Sequence, residues 1–200
     1  MPRPDYEKFI AAAQRELPSA YKWVSIETDP SYGNLFGKVV LADSEKVNEV
    51  KRQSNLDLNQ GIYVDIFALD GLPSTRVGMF LFAIVRGLLR RAAEGRHWWG
   101  FLFGMGRDRN RNRLLLQKWY AKRPYDRCKR IGAVSPYDDF RTLRRWWFKR
   151  SWFESVQWMP FDRVQMPIPI GAHELMANVF GDYMQLPPEK ARVPSHQCIS

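Results

Sequence analysis

Gly61-Ile-Tyr-Val-Asp-Ile-Phe-Ala-Leu-Asp-Gly-Leu-Pro73 decides how this chain of 200 residues is read. Ile62, Val64 and Ile66 alternate with Tyr63, Asp65 and Phe67, the period of a β-strand, and the apolar residues on both phases predict a strand with both faces largely buried. Asp70-Gly71, with Pro73 close behind, predicts a turn. Asp65 is the chemical anomaly, because a carboxylate in such a strand is costly unless something pairs with it. It is either satisfied by a nearby arginine or by backbone donors, or it is a metal or catalytic carboxylate at the lip of a cleft.

Outward from this strand, the N-terminal side is an αβ unit. Tyr6, Phe9, Ile10, Ala13 and Leu17 fall at helical spacing between Pro4, which suits a first helical turn, and the stop at Pro18. Trp23 to Glu27 and Leu35 to Ala42 read as short strands joined by the turn-rich segment 29–34. Lys38 interrupts the apolar run Leu35–Leu41. It is either a snorkelling edge lysine or a cation beside the cleft that meets a phosphate.

From Val77 the character changes. Residues 76–150 hold 20 Lys and Arg against 5 Asp and Glu, a net +15, whereas the rest of the chain is −5, giving the overall +10. Val77 to Leu89 and His97 to Gly106 are apolar runs followed by arginines, and Leu114 to Tyr120 has helical spacing. The pattern fits either a helical subdomain whose apolar face is core, or an interfacial contact with an anionic membrane. Nucleic acid is disfavoured, because no recognised nucleic-acid module accompanies the charge. Asp138-Asp139 reads as a helix-start pair and not a metal diad. Gln165 to Ile170 reads as a proline-broken edge segment, and Ala172 to Phe180 as a short helix closed by Gly181.

No apolar run approaches the roughly 20 residues needed to cross a bilayer, and no secretory signal is evident. Cys128 and Cys198 have neither disulfide-framework nor metal-ligand spacing. A reducing, cytoplasmic setting is expected, with peripheral contact at the inner face of the plasma membrane.

Three ordered stretches share a pattern. GIYVDIFALDGLP resembles the GI-hydrophobic-DIF-x-LDGLP signature of the LicD family; MPRPDYEKF at residues 1–9 and FGDYMQLPPEKARVPSHQ at residues 180–197 resemble its flanking motifs. The resemblance implies a nucleotidyltransferase-like α+β fold with a small mixed sheet, carrying a large basic helical insertion. The expected parts are an αβ portion (1–75), a basic aromatic helical portion (76–150) and a C-terminal motif (151–200), with helices predicted outside the sheet that contains Leu35–Leu41 and Ile62–Phe67.

It also implies a function: transfer of a phospho-alcohol, typically phosphocholine from CDP-choline, onto a cell-surface glycan that is in some cases lipid-linked. Asp65 and Asp70 are then the candidate catalytic carboxylates, with Asp65 the ligand of a partial metal site for Mg²⁺. Lys38 and Arg3 are the candidate phosphate-binding cations, the family also placing a lysine after phenylalanine at the former. Asp182, Tyr183 and His196 belong to the C-terminal motif. In the family an acidic D-D-D-x-D cluster precedes the methionine that matches Met1, so the metal site within these residues is expected to be incomplete. The alternative from another functional class is a non-catalytic remnant that binds anionic membrane or glycan through its basic half. In an incomplete site, Asp65 is expected either to find a basic neighbour, Lys38 being the first candidate, or to have its pKa raised by desolvation.

Overall fold

The computed structural model describes residues 1–29, 32–42, 62–94, 98–133, 144–186, 188–189 and 192. Helix α1 (Arg3–Glu16) leads into an antiparallel sheet of order β1 (Tyr21–Val24), β2 (Gly37–Leu41), β3 (Tyr63–Ile66). A second antiparallel sheet has the order β4 (Leu69–Leu72), β5 (Arg130–Ala133), β6 (Trp147–Lys149). Between β4 and β5 lie α2 (Arg76–Ala93), a 3₁₀ turn (Trp98–Phe103) and α3 (Arg109–Ala121). A hairpin of β7 (Val156–Phe161) and β8 (Val164–Pro169) precedes α4 (Ala172–Phe180). The class is α+β, as expected, and β2 and β3 fall within the two segments predicted to share a sheet.

Local chemistry explains the first layer. Pro2 and Pro4 open α1, which turns Tyr6 and Ala13 fully inward. Trp23 meets Tyr6 and Phe9 edge-on at ring distances of 6.1 and 5.6 Å. The indole lies so close to β2 that a Cβ on Gly37 would fall 2.0 Å from its ring, which is why that position is glycine. Burial pushes the Tyr6 hydroxyl up to about 12. The folded state therefore holds this proton more tightly than the unfolded chain, whose tyrosine titrates near pH 10. The resulting stability is complete below pH ~10 and disappears as pH rises toward ~12, a loss on the order of 3 kcal/mol. Urea midpoints followed across that range are expected to fall steeply, and Tyr6→Phe to flatten the alkaline limb; an unchanged slope in Tyr6→Phe would exclude Tyr6 as its source.

Four expectations are corrected. The strand in the opening stretch is not buried on both faces: β3 is the outer strand of its three-stranded sheet, Val64 is 62% exposed and Ile62 is exposed too. Asp70-Gly71 is no turn but the centre of β4, all four residues of which are buried. Among the described residues the sheets are antiparallel instead of mixed, with a single parallel bridge between Pro2 and Leu69, where Met1 O accepts from the Leu69 N–H at 2.8 Å. Helices do not fill the rest of the chain, because β5 and β6 complete the sheet on β4 and residues 156–169 form a hairpin. Here the partner strand, not local propensity, sets the conformation. Asp138-Asp139 and Cys198 lie outside the described residues.

The main cluster joins Leu72 to Met79, Phe82 and Leu89 of α2 and Leu116 and Tyr120 of α3. A second packs Leu69, Ile131 and Phe148 against Val179 of α4, with Leu175 beside them. Leu69 and Leu72 thus put β4 at the junction of both.

Candidate functional site

Two ion pairs gather four of the residues singled out in the sequence. β2 and β3 align so that Lys38 stands directly opposite Asp65, with Nζ 3.7 Å from Oδ1. The spacing of a strand also places Tyr63 and Asp65 on one face. Accordingly the Lys38 ammonium sits 3.8 Å from the centroid of the Tyr63 ring, with Tyr32 and Phe36 at 5.9 and 6.0 Å. Three aromatic rings around an ammonium offset part of its desolvation by their negative faces. The pair is asymmetric in access: the lysine side chain is 10% exposed and the aspartate 33%. The carboxylate is the end that meets solvent.

The second pair is closed. Arg3, in the first turn of α1, donates Nε to Oδ1 of Asp70 at 2.7 Å and Nη2 to Oδ2 at 2.6 Å, a bidentate fork. Their side chains are 14% and 2% exposed. Burial by itself pulls the Arg3 guanidinium down; the hydrogen bond and charge of Asp70 outweigh it, so Arg3 is held above its ordinary value. A void of about 10 Å³ beside the pair is lined by Leu35, Phe36, Phe67 and Gln117, among others, room for about one water molecule. Phe36 and Phe67, whose rings lie 4.4 Å apart, connect this void to the surroundings of Lys38.

The C-terminal motif is not brought into contact with either pair among the described residues. Tyr183 is hydrogen-bonded to Nδ1 of His173 at 2.9 Å, just past Gly181, whose φ of 75° ends α4. Asp182 is exposed, and His196 lies outside the described residues. His173 was not singled out in the sequence, and nothing in its surroundings there marks it. Tyr63 and Phe36 were also missed as neighbours of Lys38, although their i, i+2 spacing to Asp65 and Lys38 carried the signal.

As for Mg²⁺, among the described residues no three His, Cys, Asp or Glu side chains converge on a point. The Asp70 oxygens take the Arg3 fork and Asp65 faces an ammonium. These residues do not by themselves form a divalent-cation site. What the arrangement does offer is a solvent-facing carboxylate next to a shielded cation, which is chemistry for proton removal beside an anion.

The chain is similar to the lipopolysaccharide cholinephosphotransferase LicD of Haemophilus influenzae. The two are 23% identical over 215 residues, covering 98% of this chain and 76% of the relative. No protein-family model matches the chain, and no solved structure matches it. Among the described residues no helix is long and apolar enough to cross a membrane.

Proposed function

We propose that this protein is a LicD-like transferase that moves phosphocholine from a CDP-activated donor to a hydroxyl of a cell-surface glycan such as lipopolysaccharide, teichoic acid or capsule. The reading is supported by similarity to LicD along nearly the whole chain. The observation that carries the chemistry is the Lys38–Asp65 pair, closed by aromatic rings on the lysine side and open on the carboxylate side.

Asp65 acts as the general base. It takes the proton from the attacking glycan hydroxyl; the new O–P bond forms on the phosphocholine phosphorus as the bond to the cytidine monophosphate oxygen breaks, and the nucleotide leaves as the anion. Lys38 holds positive charge beside the transferred phosphoryl, whose oxygens carry the charge of the transition state. Asp70 has no part in this step, because both its oxygens are committed to Arg3; the pair anchors α1 to β4 instead. Mg²⁺ is the cofactor expected of relatives, and the carboxylates among the described residues do not make a site for it.

The test is transfer of labelled choline from CDP-choline to deacylated bacterial glycolipid by the purified chain. Asp65→Asn is expected to lower the rate by about 100-fold, the usual weight of a positioned general base. Lys38→Met is expected to lower it comparably. If Asp65→Asn turns over normally, Asp65 leaves the site. If the folded wild-type protein transfers no label, the chain is a non-catalytic binder of glycan or membrane, and the transferase reading is wrong.

A further inference from the structure

Helix α2 carries two apolar stripes, and only one of them is used by the core. Met79, Phe82, Leu89 and Ala93 face inward. Val77, Phe80, Leu81, Ile84, Val85 and Leu88 recur at i, i+3, i+4, i+7, i+8 and i+11 on the other side and are 37–70% exposed. Leu81 and Val85 continue into an open groove of about 650 Å³ shared with Pro73, Phe82 and Trp119. The 3₁₀ turn abuts the C-terminal end of α2, where a Cβ on Gly100 would lie 3.6 Å from that of Ala92, and it exposes Phe101, Leu102 and Phe103. An uninterrupted row of this kind is more than scattered surface hydrophobicity.

The charge around it is predominantly positive. Between Arg76 and Ala93 there is no acidic residue, and the helix ends in Arg90-Arg91. Arg107, Arg109 and Arg111 follow the 3₁₀ turn and are exposed. The nearest acids are engaged: Glu94 lies 3.5 Å from Arg113, and Asp108 caps α3 by accepting from the Asn110 and Arg111 N–H groups.

We propose that this face of α2, with the Phe101–Phe103 turn, seats the protein on an anionic lipid bilayer, α2 lying in the plane of the interface. Eighteen residues of helix extend about 27 Å along the surface, with the apolar stripe at the acyl boundary and the arginines at the phosphates. A second copy of the chain is the poorer occupant. Isologous pairing through this stripe would set Arg90 and Arg91 against their own copies in a parallel pair, or against Arg76 in an antiparallel one, with no acidic residue of the helix to answer them, whereas anionic headgroups answer stripe and charge together. A nucleic acid would match the charge and leave the stripe in water.

Vesicle co-sedimentation of the full chain tests the assignment. Binding is expected to vesicles containing phosphatidylglycerol and not to phosphatidylcholine alone, and to weaken as salt rises. Neutralising two exposed arginines, Arg91→Gln with Arg107→Gln, is expected to weaken it by about 25-fold, a factor of about five each. Phe80→Asp, at an exposed site that leaves the core alone, is expected to reduce binding by about tenfold or more, with circular dichroism unchanged. Equal binding to both kinds of vesicle, or to neither, overturns the proposal. So does sedimentation velocity showing a dimer that Phe80→Asp dissociates while vesicle binding stays intact, since the stripe would then belong to a second copy.

Discussion

Asp70→Ala is expected to cost about 3–5 kcal/mol of folding stability, enough to leave many domains of this size marginal at best. The substitution removes one half of a bidentate pair and strands the Arg3 guanidinium, 14% exposed, without its carboxylate. The desolvation cost of that cation then stands uncompensated. Replacing both partners by apolar residues, Arg3→Met with Asp70→Leu, is expected to recover most of the loss, because burying two hydrocarbons carries no such penalty. Urea unfolding followed by circular dichroism measures both. If the single variant is as stable as the wild type, the pair contributes no stability. The same double variant separates the two candidate carboxylates, since it is expected to keep transferase activity that Asp65→Asn loses.

Phe82→Ala is expected to be of similar severity, about 3–5 kcal/mol, while Phe80→Ala two positions away changes stability by less than about 0.5 kcal/mol. Phe82 is 3% exposed, stacks on Trp119 at 5.1 Å with the rings 15° apart, and has the Arg123 guanidinium 5.1 Å from its ring centroid. Truncating it opens a cavity at the contact of α2 with α3. Phe80 is 61% exposed. Equal losses from the two alanines would mean that α2 buries both faces, and the outer stripe would no longer be a surface.

The sequence was most legible where one element explains itself. The period of α1, the alternation of β2 and β3 and the closure of α4 by Gly181 are local signals, and the structure matches them. It was least legible where the cause lies far along the chain. Asp70-Gly71 has the chemistry of a turn, yet Asp70 sits in a strand because Arg3 neutralises it from 67 residues away. Gly71 is there for closeness and not for bending, since a Cβ would fall 2.7 and 2.9 Å from the carbonyls of Pro124 and Arg123. The exposure of Val64 was hidden for the opposite reason: Val and Ile favour a pleated surface whether or not a second layer covers it. In the candidate site, Lys38 was the expected partner of Asp65 and the strand register sets the two opposite one another, whereas the bidentate hold of Arg3 on Asp70 could not be read from spacing.

The position of β4 sets the timing of folding. Synthesis proceeds from the N-terminus, so Arg3 is available to Asp70 as soon as residue 70 emerges. The strand that covers the other edge, Arg130–Ala133, is made some sixty residues later. In that interval Leu69–Leu72 presents open backbone donors and two leucines that finish in separate clusters. Non-local pairing of this kind slows folding, and an uncovered apolar strand edge is where chains associate wrongly. Nascent chains arrested between residues 75 and 130 should therefore engage chaperones at β4, and release should coincide with the arrival of β5.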